Sequence, residues 1–216
     1  MGNMIEEDFI TEIKKLGINP TKEQLHKLNK FYELLIEWNQ KINLTRITSK
    51  PDVYLKHFYD SLTIVKEIDL SKINTLCDVG SGAGFPGIVL KIFYPNLNIT
   101  LIDSLQKRVN YLNEIIKDLN LDNIKAIHIR AEDYKEQFDI VTARAVANIE
   151  KLLKYTMHLV NKNGVLVAMK GNIEEELNED VQKRINKKYK IEKITKFYLP
   201  KEESHRSLVI ISNKRH

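Results

Sequence analysis

The chain holds 216 residues, 43% hydrophobic and 29% charged, with a formal net charge of +5 and a single cysteine. Such a length and composition support a full hydrophobic core, in one large domain or in one domain with an appendage, and exclude wholesale disorder. A lone thiol excludes an internal disulfide and a zinc cluster, so no metal is expected, and no apolar run approaches the ~18 residues of a membrane span. The acidic opening MGNMIEEDFI lacks the apolar run of a signal peptide, and a soluble cytoplasmic protein is expected. Charge is uneven along the chain. The last 34 residues carry 11 Lys/Arg against 3 Asp/Glu, which suits either a face for a polyanion or a solvated surface.

Helical spacing comes first, over 4–16 and 22–38, the second with Leu25, Leu28, Phe31, Tyr32, Leu35, Ile36 and Trp38 along one stripe. Pro20-Thr21 ahead of it is a turn and N-cap, and the stripe is read as packing against the rest of the chain. A third helical stretch, 52–67, contains Tyr54, His57, Phe58 and Leu62. From 74 onward the period alternates. Strands are expected near 74–79, 98–103, 124–129, 138–143, 164–170, 189–197 and 206–212, with helices near 85–94, 105–119, 148–159 and 173–187. Crossovers of that length predict a parallel, doubly wound α/β sheet. The last two strands are separated by Leu199-Pro200-Lys201 rather than by a helix, so a seven-stranded, mostly parallel sheet with an antiparallel edge is expected. Residues 1–70 then form an N-terminal helical extension packed on a core domain of residues 71–216.

The first strand runs into a glycine-rich turn, Leu76-Cys77-Asp78-Val79-Gly80-Ser81-Gly82-Ala83-Gly84-Phe85-Pro86-Gly87. Glycines there let the backbone bend sharply and approach a ligand closely. Cys77, inside the strand, reads as a small core side chain. Gly82-x-Gly84-x-x-Gly87 matches the dinucleotide fingerprint, which keeps an NAD-dependent oxidoreductase in view. Two features favour another ligand. Asp78 brings a carboxylate into the turn, which repels a pyrophosphate and suits an ammonium group. Pro86 removes a helix N-terminal donor that a pyrophosphate would use. An amino-acid-bearing nucleoside fits better, and S-adenosylmethionine is the expected cofactor. Asp103, ending the second strand, is positioned to accept hydrogen bonds from ribose hydroxyls, and Glu132, after the third, to lie near the adenine edge. Strand ends of such a sheet line one crevice. Arg144 ends the fourth strand, where its fork pairs with a cofactor carboxylate, with an RNA phosphate, or with a nearby acid as a structural ion pair.

Further stretches make the likeness specific: Trp38-Asn39-Gln40-Lys41-Ile42-Asn43-Leu44-Thr45, His57-Phe58-Tyr59-Asp60-Ser61-Leu62, Asp103-Ser104-Leu105-x-Lys107-Arg108, Ala131-Glu132, Ala143-Arg144-Ala145 and Met169-Lys170-Gly171. With the glycine turn, they make the chain resemble the bacterial 16S ribosomal RNA guanine-N7 methyltransferase family over roughly residues 25–212. The resemblance implies a Rossmann-like class I S-adenosylmethionine-dependent methyltransferase fold with an added N-terminal helical segment. It implies methylation of N7 on one guanine of 16S ribosomal RNA in the small ribosomal subunit. Carried onto this sequence, the cofactor contacts are Gly80 and Phe85, with Asp78 and Gly82 in the same turn, then Ala131, Glu132 and Arg144, with Asp103 and Ser104 beside the ribose. Phe85 equally suits a helix-start core position.

Guanine N7 carries an exposed lone pair in the neutral base, so its methylation needs alignment and exclusion of water rather than a general base. His57 and Asp60 are expected to position the base or brace a loop, and Lys170 and Arg206 to meet phosphate, with a solvated lysine the plainer reading of Lys170. A monomer is expected. The rivals are the NAD oxidoreductase, a small-molecule methyltransferase, and a ribosome-assembly RNA-binding factor with a vestigial pocket.

Overall fold

Seven strands, β1 (Thr75–Val79), β2 (Asn98–Asp103), β3 (Ile124–His128), β4 (Phe138–Arg144), β5 (Val160–Lys170), β6 (Tyr189–Tyr198) and β7 (His205–Asn213), form one sheet in the order β3-β2-β1-β4-β5-β7-β6. The structure is a computed structural model and describes residues 6–214; residues 4 and 5 of the first expected helix lie outside it. β1 pairs in parallel with β2 and β4, β2 with β3, and β4 with β5, while β7 runs antiparallel to both β5 and β6. Strand order reverses between β1 and β4, which makes their carboxyl ends the switch point where ligands bind in such sheets. Register sets Val79 opposite Ile102 and Ala143, so the residues that follow β1, β2 and β4 emerge side by side.

The helices are α1 (Glu6–Lys15), α2 (Lys22–Ile42), α3 (Lys50–Val53), α4 (Asp60–Leu62), α5 (Gly87–Phe93), α6 (Gln106–Asp118), α7 (Ile149–Thr156) and α8 (Glu179–Lys188). Strand side chains alternate between two apolar layers. Leu76, Ile99, Leu101, Ile140, Val167 and Ile210 pack with Phe9, Phe31, Phe58, Ile88 and Tyr111 on one side. Cys77, Val79, Ile102, Val141, Leu166 and Val209 pack with Leu152, Leu153, Val181 and Ile185 on the other. The first layer thus unites the N-terminal helices with the sheet. Phe31 of α2 stacks on Phe58 (5.7 Å) and meets Phe85 (5.4 Å), a burial contributing about 1.5–3 kcal/mol. Thr21 and Gln24 close a capping box at the start of α2, and the same Gln24 amide donates to the carbonyls of Ile92 and Phe93 at the end of α5. One side chain therefore joins two helix ends, satisfying groups that each helix leaves open.

Three expectations are corrected. The helix expected over 173–187 begins only at Glu179, because Asn178 accepts the Val181 N–H and caps it there. An Asn cap supplies an alternative to continuing the helix backward. Ahead of it, Asn172 accepts the Glu174 N–H and 171–178 stays irregular. The helix over 52–67 is composite: α3, a π-helical stretch Tyr54–Tyr59, α4, then a 3-10 turn Thr63–Lys66. The wider π turn buries Tyr54, Leu55, His57, Phe58 and Tyr59 together, and such turns concentrate at functional sites. Finally, β5 starts at Val160 rather than 164, with a register shift against β4. Among the described residues, no helix is long and apolar enough to cross a membrane.

Candidate active site

The glycine turn is built from backbone bonds that only small residues allow. The N–H groups of Gly80 and Ser81 donate to the Ile102 carbonyl (2.8 and 3.2 Å), and those of Gly84 and Phe85 to the Ser81 carbonyl (2.7 and 3.2 Å). Gly80 has φ +68°, and a Cβ there would lie 2.9 Å from Val146 Cγ2. Both facts exclude a larger residue where the chain meets the crevice. Pro86 is the cap residue ahead of α5, and a Cβ on Gly87, the next residue, would sit 2.2 Å from Leu101 and 2.8 Å from the Asp78 carboxylate.

Asp78 is wholly buried. Its Oδ2 accepts the Gly87 N–H at 2.9 Å and its Oδ1 the Thr142 hydroxyl at 3.4 Å. The carboxylate therefore faces the start of α5, where orphan N–H groups favour negative charge, and it does not line the crevice. The expectation that it meets the ligand's ammonium is corrected accordingly. Burial pushes its pKa up to about 6, against the opposing pull of the Gly87 N–H and Arg144.

A crevice of about 320 Å³ opens at the ends of β1, β2 and β3. Gly80, Asp103, Ser104, Ala131 and Glu132 line it, five of the nine residues expected to hold the cofactor. Asp103 Oδ2 accepts the Gly82 N–H and Oδ1 the Leu105 N–H, both at 2.9 Å. Arg108 Nη1 also lies 3.5 Å from Oδ2, and with about four acceptor sites on a carboxylate one remains for a ligand. Gly82 thus acts on the crevice through Asp103. Arg130, Val146, Leu152 and Tyr155 also line it. The sequence marks none of these as site residues, apart from the adjacency of Arg130 to Ala131-Glu132.

A second cavity of about 280 Å³ adjoins the ends of β4, β5 and β7. It gathers His57, Asp60, Lys170 and Arg206, the four expected positioning residues, around Arg144. Asp60 Oδ2 lies 3.2 Å from Arg144 Nη1, and Oδ1 lies 3.2 Å from Arg206 Nε. Arg144 Nη1 also donates to the Lys56 carbonyl at 3.0 Å, and Nη2 lies 3.1 Å from His57 Nδ1. Arg144 thus forms an ion pair with the nearby acid Asp60. His57 Nδ1 also lies 3.1 Å from the Lys56 carbonyl, which only accepts, and Nε2 lies 2.9 Å from Thr45 Oγ1, so the ring is held at both nitrogens. Burial, then the charges of Arg144 and Arg206, lower the His57 pKa to about 3. The ring is neutral at physiological pH.

Phe85 takes the core option. It is buried beneath this second cavity, stacked on His57 (4.4 Å) with the Arg144 guanidinium 5.1 Å from its centroid. Lys170 is neither solvated nor free for phosphate: it donates to the Ala147 carbonyl and to Glu176 Oε1 (2.9 Å), which also accepts the Ile149 N–H. Lys170 and Glu176 thus hold loop 145–148, whose Ala145 lines the second cavity and whose Val146 lines the crevice.

The crevice residues fit S-adenosylmethionine. Gly80 leaves room for backbone approach, Asp103 and Glu132 supply acceptors for hydroxyl and amine, and Ile102, Val146 and Leu152 give apolar walls for a base. A sheet of this order with an antiparallel last pair, carrying that crevice beside a second polar cavity, defines an S-adenosylmethionine-dependent methyltransferase. Solved structures with the same fold include a SAM-dependent methyltransferase from Aquifex aeolicus (TM-score 0.58, 17% identity, 82% of this chain and 97% of that one). Another is MtNAS in complex with MTA and tNA (TM-score 0.60, 14% identity, 89% and 74%). The family described as rRNA small subunit methyltransferase G (GidB) matches residues 24–209. Ribosomal RNA small subunit methyltransferase G of Bacillus subtilis is 44% identical over 212 residues (95% of this chain, 89% of the relative). That of Macrococcus caseolyticus is 49% identical over 173 residues (78% and 73%). The chain belongs to the rRNA small subunit methyltransferase G family, and its cofactor is S-adenosylmethionine. The hydride-transfer reading of the glycine turn is thereby set aside.

Proposed function

We propose that this protein transfers the methyl group of S-adenosylmethionine to N7 of a single guanine of 16S ribosomal RNA in the small ribosomal subunit. The observation that carries the reading is the state of the second cavity. His57 is neutral and held at both ring nitrogens, by Arg144 and the Lys56 carbonyl at one and Thr45 at the other, and each Asp60 oxygen faces an arginine. Among the residues lining that cavity, both His57 and Asp60 are engaged by arginines, which supports an acceptor atom that brings its own lone pair, as guanine N7 does. When bound, the cofactor supplies an electrophilic methyl on a sulfonium. The protein's own contribution is alignment and exclusion of water, to which proximity and orientation lend about 7–11 kcal/mol.

In this reading Asp103 and Ser104 hold the ribose and Ala131 and Glu132 the adenine edge. Residues 1–70 serve as an extension that brings His57 and Asp60 to the methyltransferase domain. The protein acts, in this reading, as a monomer on a ribosomal substrate in the cytoplasm. Nucleoside mass spectrometry of 16S RNA from cells with and without the protein tests the proposal. Loss of one 7-methylguanosine is expected, and an unchanged 7-methylguanosine content refutes it.

A pH profile follows from His57. A histidine acting as base would give a limb near its ordinary value of 6.5, whereas here the folded pKa lies near 3. The rate constant for methyl transfer is expected to be flat between about pH 6.5 and 8. A protonation limb near 7 would contradict the assignment. Stability behaves differently. The unfolded chain binds a proton near 6.5 that the folded site refuses until about 3, so this contribution is intact above 6.5 and is lost as pH falls through that window.

A further inference from the structure

We infer that the paired rings of Tyr198 and His205 form a stacking platform for a nucleobase of the RNA that flanks the target guanine. The inference rests on the RNA reading above and specifies how such a substrate would be held. Tyr198 closes β6 and His205 opens β7, directly opposite in the ladder, with ring centroids 4.3 Å apart. Tyr198 remains 58% exposed, so the pair presents ring surface to water instead of to the core. Its neighbour Phe197 packs against the core.

The location gives the exposure meaning. Three large hydrophobic side chains are exposed among the described residues: Leu105, Val146 and Tyr198. Leu105 follows β2, Val146 follows β4, and Tyr198 lies where antiparallel β6 and β7 reach the carboxyl end of β5, with Lys170 paired to Ser207. All three therefore lie on the one edge of the sheet where both cavities open. The platform also adjoins the second cavity. Arg206, which lines that cavity, donates to the His205 carbonyl at 2.9 Å, and a Cβ on cavity-lining Gly171 would lie 3.9 Å from the same oxygen.

Charge around the rings is mixed: Glu202 and Glu203 share the β6–β7 turn, and the cations a phosphate would meet are Lys196, Lys201 and Arg206. Lys196 precedes Tyr198 by two residues and Lys201 lies in the β6–β7 turn, paired with Glu174 and Asp8 respectively. Exposed pairs of this kind hold weakly and exchange readily for phosphates. A base entering a pocket must first leave its stack, and the stacking lost by its neighbours is replaced on an aromatic face, an effect on the order of tenfold or more in affinity per base.

The test is methyl transfer from labelled S-adenosylmethionine to small ribosomal subunits lacking the modification, with KM measured for both substrates. Tyr198→Ala is expected to raise KM for the subunits about tenfold and to leave KM for the cofactor and the melting temperature unchanged. Tyr198→Phe, which keeps the ring, should stay within about twofold of wild type. A wild-type subunit KM in Tyr198→Ala overturns the platform alone, as does a Phe variant impaired as much as the Ala variant. If the unaltered protein transfers no label to the subunits, the RNA reading fails and the platform falls with it.

Discussion

Arg144→Ala is expected to lower kcat/KM for methyl transfer on the order of 10³-fold, or about 4 kcal/mol of transition-state stabilisation. The guanidinium holds three groups of the second cavity at once: Asp60, His57 and the Lys56 carbonyl. It also covers the Phe85 ring, which in turn carries His57. Without it, Asp60 keeps Arg206, the His57 ring loses one of its partners at Nδ1, and the cavity wall loses its register with the crevice. Misplacement of about 1 Å costs on the order of 100-fold in rate. Stability falls as well, since leaving one partner of a buried pair alone costs about 3–5 kcal/mol. The sheet is expected to survive, because neither apolar layer contains Arg144. Single-turnover transfer alongside thermal unfolding separates the two effects. Lysine would restore the charge without the fork, so Arg144→Lys is expected to recover stability in part and little activity. Wild-type turnover in Arg144→Ala would remove this residue from the site.

The second large effect is on the crevice. Asp103→Ala is expected to weaken binding of S-adenosylhomocysteine on the order of 100-fold, because hydrogen bonds to a charged acceptor contribute about 1.5–3 kcal/mol each. Two losses combine. The ligand hydroxyls lose their acceptor, and the glycine turn loses the bond from Gly82 N–H that ties it to the end of β2. Asp103→Asn keeps one acceptor oxygen and should fall between the two. Calorimetric titration measures both variants. Wild-type affinity in Asp103→Ala would show that the carboxylate serves the turn and not the ligand.

The strands were legible because sheet burial writes itself into short apolar runs: 98–103 coincides with β2, and β1, β3, β4, β6 and β7 fall within two residues of expectation. The α8 boundary was less so, since whether Asn178 caps or continues a helix depends on which N–H its side chain finds. Site residues divide along the same line. Gly80, Asp103 and Ser104 sit at or directly after strand ends and Ala131 and Glu132 within four residues of one, and strand ends converge by topology alone. Asp78 and Phe85 occupy the same turn, yet their side chains point to the α5 terminus and to the aromatic layer. Residue type gave no sign of that direction.

The amino-acid sequence by itself determined the alternation of strands and helices, the glycine turn, the acids at strand ends and, through its flanking motifs, the family. These are local matters of period, backbone freedom and residue type. Only the tertiary structure decided that β7 inserts between β5 and β6, a non-local pairing that no local period encodes. It alone brought Asp60 between Arg144 and Arg206, 84 residues from the first in sequence, and turned Lys170 from a phosphate ligand into the anchor of loop 145–148. A charged side chain declares its chemistry in the sequence, but its partner is set by which distant chain segments packing places within 3 Å or so of it, and that is a property of the fold.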